Sequence, residues 1–306
     1  MKSIFKNENL IFPAGKLKNT DIEIVHRDMK LFLSKNQKLG PFERHKPHLL
    51  FPSIYKLSNN EIIKNSVYNF LEKPFFLWYS VLFFKSKSSE EYIPWHYDEY
   101  FFSLLASKGC TVWIAVDDIS DDMGPMEFCF DPISNFPHQT ETNKNNILSR
   151  GNTSNFMPNK KSVIEKVCLK KGEFSIHSNN IWHRSGANKS NKDRIGVALR
   201  YITNDAKPYK LKFLKRGIVG ENFNKRYFFH EKKPDNLLRP LRGSHLYSIL
   251  ISLIISSFGD NNRNFFDQIK DIFKFLFSVK GYRIVLNGIV SILSRKKNAN
   301  KPEKNI

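Results

Sequence analysis

The spacing of hydrophobic residues in the first quarter of the chain predicts two helices. One is predicted over Thr20–Ser34, where acidic residues fall in the first turn and apolar residues recur along the segment. The other is predicted over Ser58–Leu71, with Ser58 or Asn59 as the residue that caps its N-terminus. Residues 1–74 are therefore predicted to form a helical lead-in that packs on the domain that follows.

After residue 74 the pattern changes to short segments rich in aromatic and β-branched residues, separated by turn-forming residues. The predicted strands are Phe75–Phe84, Cys110–Val116, Met126–Phe130, Val163–Leu169, Phe174–His177 and Ile195–Ile202. Many short strands with turn signals at short intervals are typical of an antiparallel barrel or a double-sheet jelly roll. The chain is accordingly predicted to be mainly β with flanking helices, and residues 75–204 are predicted to form the core.

Three segments depart from this pattern of strands. Asn135–Lys161 is polar and rich in Asn, so we predict a long surface loop that covers a substrate entrance. Residues 205–245 are predicted to be an irregular basic connection, and residues 246–306 a helical C-terminal extension with an apolar face. The extension either packs on the barrel or a partner subunit, or it contacts an anionic membrane surface peripherally as a basic amphipathic helix.

The composition adds bounds on size and compartment. A chain of 306 residues that is 41% hydrophobic can bury the core of one large domain, or of a domain with an appendage. Its three cysteines, Cys110, Cys129 and Cys168, are widely separated and lack a C-x-x-C spacing, which predicts neither a disulfide framework nor a zinc ribbon. Residues 1–16 lack the apolar core of a secretory signal, so the cytoplasm is the predicted location.

The formal net charge of +20 raises the question of nucleic-acid binding. The lysines are spread along the whole chain, however, and the sequence has no zinc-finger spacing, RNP-type aromatic motif or glycine-rich phosphate loop. We therefore predict a small-molecule substrate and no nucleic-acid partner, while the basic surface can attract an anionic substrate or a membrane face. The sequence leaves the oligomeric state open.

One short motif points to metal chemistry. His96 and Asp98 lie two residues apart, so on a β-strand both side chains would project from the same face. Two histidines and one carboxylate can hold an octahedral iron and leave positions open for substrates, and His183 can supply the second histidine. Taken alone the motif is weak, because a loop histidine beside an N-capping aspartate gives the same pattern.

The segments around these residues carry a resemblance to a known family. They are, in chain order, Trp95-His96-Tyr97-Asp98, Trp113-Ile114-Ala115, Gly124-Pro125-Met126, Ile181-Trp182-His183-Arg184-Ser185-Gly186-Ala187-Asn188 and Asp193–Tyr201. From about Phe75 to Ile202 the chain resembles the phytanoyl-CoA dioxygenase family of iron(II)- and 2-oxoglutarate-dependent oxygenases. The resemblance implies a double-stranded β-helix, which is a cupin-like jelly roll, and it does not extend to the predicted helical C-terminal extension.

The resemblance also implies roles for individual residues. His96, Asp98 and His183 match the family's iron ligands and thus the catalytic centre. Arg194 matches the arginine that binds the distal carboxylate of 2-oxoglutarate. An arginine suits this task because its planar fork grips a carboxylate with two hydrogen bonds.

Five further residues near the motifs have predicted roles, some with alternatives. Ser185 can add a hydroxyl donor to the same carboxylate, and Trp113 either lines the co-substrate pocket or is a core tryptophan. His177 is predicted to support the metal ligands without binding the metal, and Arg200 to form a structural salt bridge. Lys85 is predicted to be an exposed turn lysine, with contact to an anionic substrate at the rim as the alternative.

The activity that the resemblance implies is that of a dioxygenase. Such an enzyme uses iron(II), 2-oxoglutarate and dioxygen to hydroxylate a small-molecule or carrier-linked metabolite, and it releases succinate and carbon dioxide. Asp98 disfavours halogenation, because halogenating relatives have a small residue there that leaves room for chloride. Two alternatives stay open: a zinc-dependent hydrolase on the same ligands, and a non-catalytic barrel that acts in binding or at a membrane.

Overall fold

The structure of the protein, a computed structural model, describes residues 5–34, 44–102, 104–133, 138–140, 145–147, 152–209, 212, 215–234, 247–248 and 251–252. Its helices are α1 (Asn19–Ser34), α2 (Pro52–Ser58) and α3 (Glu61–Leu71), with short 3-10 turns at Pro47–Leu49, Asp98–Phe101 and Asp121–Met123. Its strands are β1 (Phe5–Lys6), β2 (Leu10–Lys16), β3 (Phe75–Lys85), β4 (Ile93–His96), β5 (Leu104–Leu105), β6 (Gly109–Ala115), β7 (Met126–Cys129), β8 (His138–Thr140), β9 (Asn152–Ser154), β10 (Ile164–Val167), β11 (Glu173–Ser178), β12 (Trp182–Ser185), β13 (Arg194–Thr203), β14 (Lys207–Pro208), β15 (Arg216–Ile218) and β16 (Phe228–His230).

Two antiparallel sheets form the centre of the fold. The larger sheet has the strand order β1-β2-β11-β6-β13-β3, and the smaller has the order β10-β7-β12-β4. Each strand in them pairs antiparallel with its neighbours. Many of these neighbours are distant in sequence, so the chain passes repeatedly between the sheets, as it does in a jelly roll. The predicted fold class is therefore confirmed.

The larger sheet is buried on both faces, and the alternation along its strands decides what lies on each face. On β6, Val112 and Ile114 pack in the apolar cluster shared with the helices. Trp113 and Ala115 pack instead in the cluster that lies between the two sheets. Any charged residue on this inner face is consequently enclosed by the fold, and such residues form the site described below.

The three helices cover the outer face of the larger sheet, and they contribute to the same apolar cluster. The first predicted helix is confirmed, since α1 begins one residue before its predicted start. The second begins later than the spacing predicts, because α2 ends at Ser58 and α3 begins only after Asn60. The Asn60 side chain accepts a hydrogen bond from the Ile62 amide, so this residue is the N-cap in place of Ser58 or Asn59.

The six predicted strands are confirmed, with ends that shift by one or two residues. In addition, β1 and β2 extend the larger sheet beside β11. Residues 1–74 therefore supply two strands to the sheet as well as the helices. The sequence of β2, which contains Pro13 and Gly15, does not alternate as a half-buried strand does, and this is why the pattern did not predict it.

The segments outside the predicted core differ in part from expectation. Within Asn135–Lys161, β8 pairs with β9, so the segment is not only a loop. Within residues 205–245, β14 pairs with β5, and β15 pairs in parallel with β16. The predicted extension over residues 246–306 lies outside the described residues except for 247–248 and 251–252, which are helical. In the described part of the chain, no helix has the length and apolarity to cross a membrane.

Candidate metal centre and anion pocket

The metal ligands predicted from the sequence meet where two paired strands lie side by side. β4 ends at His96, and β12 contains His183, which is its direct partner across the antiparallel pair. The i, i+2 spacing suggests that Asp98 lies on the same strand as His96. In the structure Asp98 instead starts a 3-10 turn just after the strand. Extended backbone at Tyr97, with φ -130° and ψ 145°, still places the carboxylate beside the histidines.

The two histidines present the same ring nitrogen to the carboxylate. Nε2 of His96 lies 4.0 Å from Oδ1 of Asp98, and Nε2 of His183 lies 3.9 Å from the same oxygen. These separations are too long for hydrogen bonds. The candidate ligand atoms of the three residues all lie within 4.8 Å of one another. A divalent cation with ligand bonds of about 2.1 Å fits in gaps of this size.

Each histidine is held in the tautomer that metal binding requires. Nδ1 of His96 lies 2.9 Å from the carbonyl oxygen of Pro94, and Nδ1 of His183 lies 3.0 Å from that of Ile181. A carbonyl oxygen only accepts, so Nδ1 carries the proton and Nε2 keeps its lone pair. Burial lowers the pKa of both imidazoles, which keeps the rings neutral at pH 7.

The carboxylate of Asp98 is fully buried and is held by two strands of the larger sheet. Arg200 on β13 grips it, with Nη2 2.6 Å from Oδ1 and Nε 3.2 Å from Oδ2. The hydroxyl of Thr111 on β6 donates to Oδ2 at 2.6 Å. Burial, the largest single influence, would raise the pKa of Asp98, but Arg200 and the three neighbouring histidines together hold this pKa below its ordinary value. The partner of the salt bridge predicted for Arg200 is thus a candidate metal ligand.

His177 on β11 is a third histidine at this centre. Its Nε2 lies 3.9 Å from Oδ2 of Asp98, and its ring centroid lies 5.0 Å from that of His183. The ring is buried, and neither nitrogen has a hydrogen-bond partner in the part of the chain that the structure describes. Its place beside the outer oxygen of the carboxylate agrees with a residue that supports the ligands without joining them.

A second group of buried polar side chains lines the same pocket. Arg194 is 2% exposed, and its Nη1 donates to Ser185 Oγ at 3.0 Å and to the Gly124 carbonyl at 2.8 Å. Its guanidinium carbon lies 5.0 Å from the centroid of the Trp113 ring. Trp113 occupies the space above Gly196, where an added Cβ would lie 2.3 Å from the indole. The structure therefore brings together the three residues that the sequence assigns to the co-substrate pocket.

Lys85 contacts this group through Ser185, so the prediction of an exposed turn lysine is wrong. The residue ends β3, pairs with Arg194 on β13, and is fully buried. Its ammonium donates to Ser185 Oγ at 2.7 Å and to the backbone carbonyls of Ser185 and Gly186. The physical reason is that β3 continues one residue past Phe84, which keeps the lysine within the sheet.

These buried cations have no carboxylate within salt-bridge distance among the described residues. Burial, reinforced by the charge of Arg194, lowers the pKa of Lys85 to about 6, and burial lowers the pKa of Arg194 to about 10. Nε of Arg194 is buried without a hydrogen-bond partner. At pH 7 Lys85 is therefore largely uncharged until an anion binds beside it. A buried guanidinium with an unsatisfied donor is costly until an anion binds, so this part of the pocket is suited to a carboxylate.

Sequence reasoning missed two contributors, Thr111 and the buried Lys85. A signal existed for Thr111, because it lies two residues before Trp113 on one strand and so shares its inner face. A signal also existed for Lys85, which lies two residues after Phe83 and continues its alternation. In both cases the alternation of side chains along the strand indicates an inward-facing position. That inference requires the strand bounds, which the sequence pattern placed one residue away.

Comparison with known proteins supports the same assignment. The family model described as Phytanoyl-CoA dioxygenase matches residues 18–196, which is more than half of the chain. No curated protein matches the sequence.

Several solved structures share the fold at low sequence identity. ThoJ, described as a non-heme monooxygenase, has a TM-score of 0.65 at 18% identity, over 86% of this chain and 96% of that chain. SnoN, a non-heme α-ketoglutarate-dependent epimerase from nogalamycin biosynthesis, has a TM-score of 0.52 at 15% identity, over 72% and 90%. The carbocyclase SnoK has a TM-score of 0.50 at 17% identity, over 63% and 78%. At these identities the likeness shows a common fold.

The matched residues 18–196 contain the three candidate ligands and the arginine of the anion pocket. They also contain the paired strands β4 and β12, the whole of β3, and the first three residues of its partner β13. The chain belongs to the phytanoyl-CoA dioxygenase family of iron(II)- and 2-oxoglutarate-dependent oxygenases.

Proposed function

We propose that this protein is a dioxygenase that uses iron(II), 2-oxoglutarate and dioxygen to hydroxylate a small-molecule or carrier-linked metabolite. One observation carries the proposal: the three candidate metal ligands and the buried Arg194 line a single pocket, with the buried Lys85 bonded to the Ser185 hydroxyl of its wall. A 2-oxo acid with a distal carboxylate needs both features, because one end chelates a metal and the other end pairs with cations. Membership of the family supports this combination.

His96, Asp98 and His183 are the residues that would hold the metal. Two neutral imidazoles and one carboxylate occupy three positions and leave the others for substrates. Bound iron(II) would supply the redox chemistry that couples decarboxylation of 2-oxoglutarate to oxidation of a second substrate by dioxygen. The protein itself contributes orientation, because backbone carbonyls fix both histidine rings and Asp98 is held by its own partners. The carboxylate at Asp98 occupies the place a halide would need, which favours hydroxylation.

Arg194, Ser185 and Lys85 are proposed to bind the distal carboxylate of 2-oxoglutarate. The unpartnered Nε of Arg194 provides a donor that no described protein group uses. The hydroxyl of Ser185 lies between the two cations, 3.0 Å from Arg194 Nη1 and 2.7 Å from Lys85 Nζ. A carboxylate placed among these groups would satisfy their charges, and Trp113 would form the apolar wall beside it.

An aromatic cluster packs on the face of β4 and β12 that is turned away from the candidate metal ligands. Phe156 stacks on Trp182 with ring centroids 4.2 Å apart and meets the edge of Trp95 at 5.8 Å. Trp95 and Trp182 each directly precede a candidate metal ligand in the sequence. Because Phe156 lies within Asn135–Lys161, these contacts fix part of that segment on the outer face of the smaller sheet, and its role over a substrate entrance stays a prediction.

The test begins with the purified protein loaded with iron(II) in the absence of oxygen. Addition of 2-oxoglutarate is expected to produce the weak visible absorption band of the iron chelate, and admission of air is expected to yield succinate. A mass-spectrometric screen for a product that is heavier by an oxygen atom then identifies the metabolite. Loss of both the band and succinate formation would contradict the proposal. The zinc-hydrolase alternative predicts bound zinc after anaerobic purification and hydrolysis without 2-oxoglutarate.

A further inference from the structure

We infer that Arg200 is a positioning residue that makes the metal centre favour iron(II) over iron(III), through its hydrogen bond to the metal-facing oxygen of Asp98. The inference rests on the proposed function, because it concerns the iron which that function requires. It goes beyond that function in assigning a redox role to a residue that is neither one of the three ligands nor one of the groups proposed to bind the carboxylate of 2-oxoglutarate.

The first support is that one oxygen atom serves two partners. Oδ1 of Asp98 faces Nε2 of both His96 and His183, so it is the oxygen nearest to a metal held between them. The same Oδ1 accepts a hydrogen bond of 2.6 Å from Nη2 of Arg200. The guanidinium charge is therefore one atom away from the metal, and it withdraws electron density from the ligand atom itself.

The second support is that the guanidinium is fixed in this position. Its carbon lies 5.9 Å from the centroid of the Tyr79 ring and 5.6 Å from that of the Phe102 ring. Its Nε bonds the second oxygen of Asp98, and the side chain is only 13% exposed. An arginine held by two rings and two hydrogen bonds keeps its charge beside the carboxylate when a metal enters.

The electrostatic consequence has a definite sign. At any separation, a fixed positive charge repels a trivalent ion half as much again as it repels a divalent ion. A carboxylate that already accepts hydrogen bonds from an arginine also stabilises the higher charge less. Both effects raise the potential of the iron(III)/iron(II) couple, so the form that reacts with dioxygen in the presence of 2-oxoglutarate is retained.

Arg200→Gln and Arg200→Lys separate this role from a purely structural one, because Gln removes the charge and Lys retains it. Arg184→Gln is the matched control. Arg184 directly follows His183 in the sequence, and its Nη2 also donates to a carboxylate, that of Glu127, at 2.8 Å. The midpoint potential of the iron-loaded protein is measured by redox titration, and the loss of iron(II) in air is followed with a chelating dye. Affinity for cobalt(II), a stable divalent probe, is measured by titration.

We expect Arg200→Gln to have a lower midpoint potential and to lose iron(II) in air about tenfold faster than the unaltered protein. The rate of iron(II) loss in Arg200→Lys is expected to stay within about threefold of that of the unaltered protein, and the rate in Arg184→Gln is expected to equal it. Cobalt(II) affinity of Arg200→Gln is expected not to fall, since the site gains negative charge, whereas a purely structural role predicts a loss. Equal potentials in the Gln variant and the unaltered protein, or equal shifts in the Gln and Lys variants, would overturn the inference.

Thr111→Val provides a second route if Arg200→Gln does not fold. It removes one neutral hydrogen bond to Oδ2 of Asp98, so the potential should fall in the same direction by a smaller amount. No shift, or a rise, would count against the inference. If the unaltered protein binds neither iron(II) nor cobalt(II), the proposed function fails, and that result is distinct from binding without any dependence on Arg200.

Discussion

Two buried carboxylates among the described residues, Glu231 and Asp98, have basic neighbours, and of this pair Asp98 alone is arranged to bind a metal. Glu231 and Asp98 are 2% and 0% exposed. Burial would raise the pKa of each, and cationic partners hold both values below the ordinary range. Glu231 accepts hydrogen bonds from Lys46 Nζ at 2.7 Å, from His48 Nε2 at 2.8 Å and from Ser248. All three partners are in direct contact, so this cluster holds chain segments together and leaves no place for an ion.

The histidines at Asp98 are placed differently. Nε2 of His96 and His183 stops 4.0 and 3.9 Å from the carboxylate, while Nδ1 of each ring is used by a backbone carbonyl. In the other cluster His48 uses both nitrogens on side chains, with Nδ1 2.6 Å from Ser80 Oγ. Distance and tautomer, and not residue type, therefore distinguish a ligand set from a structural ion cluster.

Two lysines that are fully buried in the described part of the chain show the same contrast. Lys46 contacts Glu231, Ser248 and the carbonyl of Gly217, so its charge is matched within the protein. Lys85 contacts only hydroxyl and carbonyl oxygens among the described residues. A buried lysine without a carboxylate is expected to receive its counter-ion from a ligand.

The strongest expected effect concerns the two carboxylates. Asp98→Asn should weaken cobalt(II) or iron(II) binding by about a thousandfold or more. The neutral amide is a poor metal ligand, and it leaves the positive charge of Arg200 uncompensated beside the metal. Glu231→Gln should leave metal affinity unchanged under conditions in which the variant is folded. Anaerobic metal titration of both variants checks this, and similar affinities for both would remove the distinction.

The next effect concerns stability. Glu231→Gln should lower the free energy of unfolding by about 3–5 kcal/mol, because Lys46 would remain buried without its counter-ion. Urea denaturation measures the change. Lys64→Gln is the control, since its ion pair with Glu61 is exposed and should contribute at most about 1 kcal/mol. If Glu231→Gln lowers the free energy of unfolding no more than the control does, the Glu231 cluster does not stabilise the fold as proposed.

Co-substrate affinity should separate the two lysines. Arg194→Leu is expected to weaken 2-oxoglutarate binding by about a hundredfold, which corresponds to roughly 3 kcal/mol, without loss of metal affinity. Lys85→Met should weaken it less, and Lys46→Met should not change it in folded protein. Titration of the chelate band measures all three. Unaltered affinity in the Arg194 variant would argue against its assigned role.

The smallest effect is a pH dependence that belongs to Lys85. Its pKa of about 6 in the free protein should rise when a carboxylate binds beside it, so binding takes up a proton above pH 6. Affinity for 2-oxoglutarate should therefore be greatest below pH 6 and fall by up to about tenfold per pH unit above it. Calorimetry in buffers of different ionisation enthalpy detects the proton uptake. Lys85→Met should abolish it, and persistence of the uptake in that variant would assign it elsewhere.

Much of the fold could be predicted because its central strands are continuous apolar runs. β3, β6 and β13 are buried on both faces, and their composition alone distinguishes them from turns. β1 and β2 carry no such run, and their place at the sheet edge depends on pairing with β11, which lies more than a hundred residues away. β8 and β9 are close in sequence, but they lie in a polar segment that has no apolar run either, so their pairing escaped prediction.

The sequence by itself marked His96, Asp98 and His183 as a possible ligand set, and the family resemblance of its motifs assigned Arg194 to carboxylate binding. Only the tertiary structure decided what those side chains contact. Arg200 reaches Asp98, and Lys85 reaches the anion pocket, because β13 pairs with β3 and β6 in one particular register. Register is set by packing across the whole sheet, and a shift of one residue would turn these charges to the opposite face.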